Sequence, residues 1–78
     1  MAAADLVAHI ARSLVEDQDA VRVEEAEEDG ALVLRLYVAP DEIGRVIGRQ
    51  GRIARALRTL VRSGGAQEGR RIVLEIVD

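Results

Sequence analysis

The sequence predicts one α+β domain covering residues 1–78, with three helices on one face of a mixed three-stranded sheet. Three observations predict this class. Apolar residues near the start recur at helical spacing, two later stretches alternate as a hairpin does, and two short helices precede a closing strand. The predicted element order is therefore α-β-β-α-α-β. No linker, repeat or low-complexity tract divides the chain.

The first half of the chain predicts a helix followed by a hairpin. Apolar residues at helical spacing mark the helix, which ends in the polar run 16–19, and these residues are Leu6, Val7, Ile10 and Leu14. Val21 and Val23 alternate with charged neighbours in a short strand. The segment Glu28-Asp29-Gly30 is a tight-turn signal, because Asp and Gly tolerate positive φ. Residues 32–38 alternate clearly and complete an antiparallel hairpin.

The second half predicts two helices and a last strand. Pro40 suits the first position of a helix, whose apolar stripe ends near Gly48. A second helix begins at Gly51 or Arg52 and extends to about residue 62. Residues 63–69 are predicted to form a flexible loop. Residues 71–77 form the third strand, and we expect it to lie parallel to the second because a helical crossover joins them.

Charge is distributed unevenly along the chain. Residues 1–42 hold three arginines and eleven acids, a balance of −8, whereas residues 43–78 hold eight arginines and three acids, a balance of +5. The net charge is −3. Salt screens exposed charges beyond about 10 Å, so a partner responds to the local field and not to the total. The acidic net charge therefore does not exclude a nucleic acid.

Several classes of function have little support. The chain has no cysteine and one histidine, His9, so we expect no disulfide, no metal and no cofactor. The hydroxyl residues have no evident base nearby, and they are Ser13, Thr59 and Ser63. The acidic run 24–29 lacks the ligand spacing of a calcium loop, which favours a solvated hairpin tip. We therefore expect a protein that is not an enzyme and has no small-molecule substrate.

The same composition bears on location. The segment from Met1 to Asp5 lacks the basic and apolar parts of a secretion signal. No apolar run approaches the length of a membrane span. The sequence thus predicts a cytoplasmic protein without membrane contact.

The segment Gly48-Arg49-Gln50-Gly51 is the most informative motif. Two glycines three residues apart, between two helices, allow a sharp turn and leave no Cβ between the backbone and a ligand. The second helix begins at this turn, so the positive end of its dipole points there. Neither Arg49 nor Gln50 repels a phosphate. The loop is therefore suited to a sugar–phosphate backbone.

The helix after the loop separates apolar from basic residues. Ile53, Leu57, Leu60 and Val61 fall on one side of a helical wheel. The arginines opposite them, together with two that precede the helix, predict an electrostatic track for a polyanion, and they are Arg45, Arg49, Arg52, Arg55, Arg58 and Arg62. An ordinary solvated helix face is the alternative interpretation.

The segment Val46-Ile47-Gly48-x-x-Gly51, set between two helices after a hairpin, resembles a KH domain. The element order resembles the type II variant, and the similarity covers Leu6 to Val77. The residues Val38-Ala39-Pro40, followed by the run Gly44 to Ile53, resemble the small bacterial KhpA family. One departure is Ala54, since many KH domains have a large aliphatic residue three places after the second glycine.

The resemblance implies an RNA-binding protein. It implies that the segment Gly48, Arg49, Gln50 and Gly51 clamps the backbone of about four nucleotides of single-stranded RNA. It also implies that Ile43 and Val46 line an apolar groove for the bases. The arginines next to this site would be Arg45, Arg52 and Arg55.

The resemblance further implies partners and a cellular role. Members of this family resemble RNA chaperones or post-transcriptional regulators, linked to cell shape and cell-wall biogenesis. They form homodimers, or heterodimers with a larger Jag-type KH protein, KhpB. Leu60 and Val61 are the candidate dimer contacts in this chain. The alternative is a KH-fold protein-interaction module that pairs with a larger KH protein and contributes little RNA contact itself.

Overall fold

The computed structural model describes residues 2–78 and contains the predicted elements in the predicted order. The helices are α1 Ala3–Leu14, α2 Ile43–Ile47 and α3 Arg52–Gln67. The strands are β1 Arg22–Glu28, β2 Ala31–Tyr37 and β3 Ile72–Ile76. Short 3₁₀ turns lie at Gln18–Ala20, Pro40–Glu42 and Arg49–Gly51. Across residues 2–78, none of the helices combines the length and the apolar character needed to span a membrane.

The sheet has β2 at its centre, antiparallel to β1 and parallel to β3, which confirms the predicted mixed topology. The hairpin turn has Asp29 at φ 51° and Gly30 at φ 79°, as the turn signal predicts. β1 extends through the acidic run to Glu28 and is longer than predicted. The strand tolerates these acids because they pair with β2 through the backbone while their side chains stay exposed.

The core lies between the sheet and the three helices. On the sheet, Leu34 and Leu36 of β2 are fully buried at its centre, with Ile72 and Leu74 of β3 beside them. Each helix contributes buried residues to the same cluster, and these are Val7, Ala11, Val46, Leu57 and Val61. This packing is the two-layer α+β arrangement predicted from the sequence.

The face of the sheet opposite the helices carries polar side chains, beside the buried residues Ala31 and Val33. The Arg35 guanidinium lies between two carboxylates, 2.7 Å from Glu28 and 3.0 Å from Glu75. These hydrogen-bonded carboxylates raise the pKa of Arg35. Arg22 stacks over the ring of Tyr37, with 4.1 Å between the guanidinium carbon and the ring centroid.

The prediction that α3 ends near residue 62 and gives way to a flexible loop is wrong. The helix continues to Gln67, and only a short turn separates it from β3. Gly65 is buried in this last part of α3, and its carbonyl accepts a 2.7 Å hydrogen bond from the amide of Arg70. A Cβ at Gly65 would lie 2.4 Å from the Arg70 carbonyl oxygen. The glycine is therefore a close-packing residue inside a helix and not a loop residue.

Glu42 is a buried carboxylate that joins α1 to α2, a role the sequence does not reveal. Its residue surface is 7% exposed. The Glu16 amide donates to Glu42 Oε1 over 2.7 Å, and the Asp17 amide donates to Oε2 over 3.1 Å. These two hydrogen bonds, helped by Arg45 at 3.8 Å, lower the pKa of Glu42 against the opposing effect of burial.

We expect Glu42→Gln to lower the melting temperature at pH 7, because a neutral amide binds the two backbone N–H groups less strongly. Since folding lowers the pKa of Glu42, its contribution is complete above the ordinary value of 4.5 and is lost as pH falls through the folded value. The difference from the wild type should therefore shrink below pH 4.5 in thermal scans. Asp41→Asn, at the exposed neighbouring carboxylate, is the control. A difference that stays constant with pH would contradict this role.

Candidate nucleic-acid interface

The loop between α2 and α3 is a tight turn fixed by its two glycines. Gly48 has φ 76° and ψ 172°, and Gly51 has φ 75° and ψ 15°. The Gly51 amide donates to the Gly48 carbonyl over 3.1 Å. A Cβ at Gly48 would lie 2.7 Å from Ile53 Cγ1. The positive φ angles therefore favour glycine at both positions, and the packing beneath the loop also requires it at Gly48.

Ile53 compensates for the small residue at position 54. Ala54 is buried at 3% exposure and has no bulk with which to support the loop. Ile53, one residue earlier, is half-buried and fills the space under Gly48. The departure from the common KH pattern thus changes which side chain supports the turn while the turn itself is kept.

Arg49 and Gln50 form the exposed tip of the loop. Gln50 has φ 58° and ψ 22°, a left-handed conformation, and its side chain is exposed. Its side-chain oxygen accepts a 3.1 Å hydrogen bond from Arg52 Nη2. No side chain caps the first turn of α3 at Gly51. The positive end of the 16-residue helix α3 is therefore open to an anion at this tip.

The arginines of the loop and of α3 differ in their pairing from four of the six arginines elsewhere in the chain. Arg22, Arg35 and Arg70 each form an ion pair with a glutamate. Across residues 2–78, the arginines of the loop and of α3 form no ion pair, and they are Arg49, Arg52, Arg55, Arg58 and Arg62. The guanidinium of Arg55 lies 3.5 Å from the position that a Cβ at Gly51 would take. Unpaired cations are thus concentrated along one face of α3, starting at the glycine loop.

Arg45 does not belong to this set of unpaired arginines. Its guanidinium lies 3.5 Å from Glu16 and 3.8 Å from Glu42. Both carboxylates lie near the junction of α1 and α2. The structure therefore does not bring Arg45 to the loop as a free cation, in contrast to the sequence prediction of a strip that includes it.

The apolar residues of α2 are not buried and exposed in the way that the sequence predicted. Val46 is 0% exposed, so the prediction that its side chain lines a groove surface is wrong. Ile43 and Ile47 are half-buried and keep part of their surface in reach of a ligand. Ile47 lies directly before the loop and was missed by sequence reasoning. The helix is only five residues long, and this gave the sequence too little periodicity to separate Val46 from Ile47.

The two candidate dimer residues also differ in their exposure to solvent. Val61 is 2% exposed and belongs to the core, so the prediction that it forms a dimer contact is wrong. Leu60 is 49% exposed, the only large apolar side chain so exposed within the described chain. Leu60 alone therefore remains available for contact with another protein.

A cleft between α3 and β3 extends the basic surface. It is lined by two arginines of α3 and by the start of β3, namely Arg58, Arg62, Arg71, Ile72, Val73 and Leu74. The Arg71 carbonyl and the Val77 amide both bond to β2, so the intervening backbone alternates between β2 and solvent. The backbone N–H and C=O groups of Ile72 and Leu74 therefore point away from β2, because β3 is an edge strand of the sheet. Arg71 is a further unpaired cation that sequence reasoning missed, because only the tertiary fold brings it to α3.

Three helices on a mixed sheet, with a Gly-x-x-Gly loop between the second and third helices, define a type II KH domain. The protein belongs to the family described as KhpA/KhpB, KH domain, whose model matches residues 4–76. The chain is 50% identical to the RNA-binding protein KhpA of Aquifex aeolicus over 74 residues, which is 95% of this chain and 94% of the relative. It is 43% identical to the RNA-binding protein KhpA of Bacillus subtilis over 74 residues, which is 95% of this chain and 91% of the relative.

Proposed function

We propose that this protein binds single-stranded RNA at the loop Gly48–Gly51. The observation that carries the proposal is the concentration of unpaired arginines around an exposed, uncapped helix start. Relatives that share about half of its residues over nearly their whole length carry the name RNA-binding protein. The fold class and the charge of the site agree with that name.

The loop is the phosphate-binding part of the proposed site. Its tip offers the Arg49 guanidinium, the Gln50 amide and the positive end of α3. Because glycines stand at both ends of the loop, a phosphate can approach the peptide backbone closely. A KH loop of this kind holds the backbone of about four nucleotides.

The bases of the strand have an apolar surface beside the loop. Ile43 and Ile47 of α2 remain partly exposed there, whereas Val46 supports them from the core. The arginines Arg52 and Arg55 stand at the opposite side of the loop, on α3. The strand would thus place phosphates toward α3 and bases toward α2.

The number of contacts predicts weak binding by one domain. About three phosphate contacts correspond to a log–log salt slope of roughly −2 for a single strand. Two linked KH surfaces would bind more tightly through effective concentration. A pair of domains therefore fits the proposed function better than an isolated one.

Titration of the ¹⁵N-labelled full chain with single-stranded RNA octamers at low salt tests the proposed site. We expect the amide signals of Gly48, Gly51 and Arg52 to shift, because the loop and the helix start bind the phosphates. The signals of the acidic hairpin Glu24–Asp29 serve as the internal control. Loop signals that stay unmoved while RNA is in excess would exclude RNA binding at this site.

We propose that pairing occurs through the Leu60 side of α3. Leu60 is exposed, and the residues around it at helical spacing are uncharged, namely Ala56, Ser63, Gly64 and Gln67. The partner would be a second copy of this chain or a KH domain of the larger KhpB type. Such a dimer would act in the cytoplasm as an RNA chaperone or post-transcriptional regulator.

Leu60→Glu should shift the chain toward the monomer, because a buried carboxylate without a partner is costly at an apolar contact. Sedimentation equilibrium across a concentration series measures the shift. Thr59→Glu adds the same charge to a neighbouring exposed position and should leave self-association unchanged. A Leu60→Glu variant that associates as the wild type does would place the contact elsewhere.

A further inference from the structure

The connection that follows α1 is held against the start of α2 by one carboxylate. Both oxygens of Glu42 accept backbone hydrogen bonds, Oε1 from the Glu16 amide over 2.7 Å and Oε2 from the Asp17 amide over 3.1 Å. The Glu16 side chain is itself 82% exposed. The backbone of Glu16 is therefore fixed next to α2, while its carboxylate remains in solvent.

This placement brings the Glu16 carboxylate to Arg45 of α2. Glu16 Oε1 lies 3.5 Å from Arg45 Nη2, and Glu42 Oε1 lies 3.8 Å from Arg45 Nε. Glu42 is the weaker partner of the guanidinium, because both of its oxygens already accept hydrogen bonds from the backbone. Glu16 is therefore the main contact that directs Arg45 toward the junction of α1 and α2.

Arg45 also stands close to the glycine loop. It lies three residues before Gly48, which corresponds to about 4.5 Å along the axis of α2. Its side chain is 54% exposed, so its pair with Glu16 is open to water and salt. Exposed pairs of this kind are weak. A phosphate bound at the loop therefore competes with Glu16 for the same guanidinium, because guanidinium groups bind phosphates as well as carboxylates.

We propose that Glu16 lowers the affinity of this site for RNA by holding Arg45 away from the bound strand. The wild-type chain binds with the loop and the arginines of α3, and Arg45 joins them only when Glu16 is displaced or neutralised. This assignment rests on the proposed RNA-binding function of the same site. It gives Glu16, which touches no nucleotide, control over affinity from the connection after α1.

Competition for Arg45 differs from the general repulsion between an acid and a polyanion. General repulsion depends on the position of the charge and not on a particular partner. Asp17 is the adjacent exposed acid, and within residues 2–78 its carboxylate forms no ion pair. Competition therefore predicts an effect that is specific to Glu16 and requires the guanidinium of Arg45.

Glu16→Gln should raise affinity for a single-stranded RNA octamer about threefold, the scale of one exposed ion pair. The log–log salt slope should steepen from roughly −2 toward roughly −3, because one more phosphate is contacted. In an Arg45→Gln background, the same substitution should change affinity by less than about 1.5-fold. Asp17→Asn makes the same change in charge and should also stay within about 1.5-fold, because it releases no arginine. Fluorescence anisotropy with a labelled octamer measures all four effects.

The NMR signal of the Arg45 Nε–H group provides a readout that does not depend on affinity. On addition of saturating RNA it should shift further in Glu16→Gln than in the wild type. Unchanged affinity of Glu16→Gln would overturn the inference. An equal gain in the Arg45→Gln background, or from Asp17→Asn, would assign the effect to charge alone and would overturn it too. If the wild type and Glu16→Gln both bind no RNA, the proposed function fails as well.

Discussion

Replacing Arg49 and Gln50 together with aspartate should lower affinity for single-stranded RNA at least about 100-fold, the largest binding effect that we expect. The double substitution removes a cation and an amide donor from the loop tip and sets two carboxylates against the phosphates. It also opposes the positive end of α3, which the loop otherwise presents to the strand. Fluorescence anisotropy with a labelled RNA octamer measures the loss.

The same variant should keep its fold, because both side chains are exposed. Gln50 has φ 58°, a region that aspartate tolerates better than most residues. Arg12→Asp with Gln18→Asp makes the same change in charge at exposed positions outside the loop and outside α3, and is the control. If both double variants lose RNA binding equally, overall charge and not the loop is responsible. If neither loses it, the loop is not the binding site.

Gly65→Ala should cause the largest loss of stability. Its Cβ would stand 2.4 Å from the Arg70 carbonyl oxygen and 2.8 Å from Ile72 Cγ1, so α3 and β3 would have to separate. Overpacking of this kind costs about 1–3 kcal/mol. In a chain of this length that corresponds to a fall in melting temperature of about 5–20 °C. Calorimetry or thermal circular dichroism measures it.

Gly64→Ala provides the comparison, because Gly64, the neighbouring glycine of α3, has open space around it. The two variants add the same methyl group to adjacent positions of one helix. Opposite changes in melting temperature are therefore expected from packing alone. A Gly65→Ala protein as stable as the wild type would mean that the turn from α3 into β3 relaxes without cost.

The features that the sequence predicted correctly depend on local signals. The alternation in residues 32–38 and the Asp29-Gly30 turn are sufficient to define the hairpin. The helical crossover between β2 and β3 then implies a parallel pair. The loop between α2 and α3 follows from the spacing of Gly48 and Gly51. These signals operate over a few residues and need no knowledge of distant contacts.

The features that the sequence missed depend on tertiary contacts. Gly64 and Gly65 favour a loop by composition, yet the packing of Gly65 against Arg70 and Ile72 keeps the helix intact. Glu42 is typical of a solvated first turn, but the chain after α1 folds over it and buries it.

The remaining errors concern which face of a helix a side chain occupies. A shift of one residue distinguishes the buried Val46 from the half-buried Ile47, and the buried Val61 from the exposed Leu60. A helical wheel assigns each side chain to a face of the helix, but the elements that pack against the helix determine how much of that face is buried. The ion pair between Arg45 and Glu16 was hidden for a different reason, since Glu16 lies far away in sequence, in the connection after α1.

The crowding of unpaired arginines on α3, in a chain whose net charge is −3, has a kinetic consequence. At separations beyond about 10 Å a polyanion is not drawn in by the molecule as a whole, because screening and the acidic half cancel long-range attraction. Encounters are therefore unguided, and only collisions that present the arginine side are retained. Differences in affinity among RNA strands would then appear in the rate of dissociation and not in the rate of association.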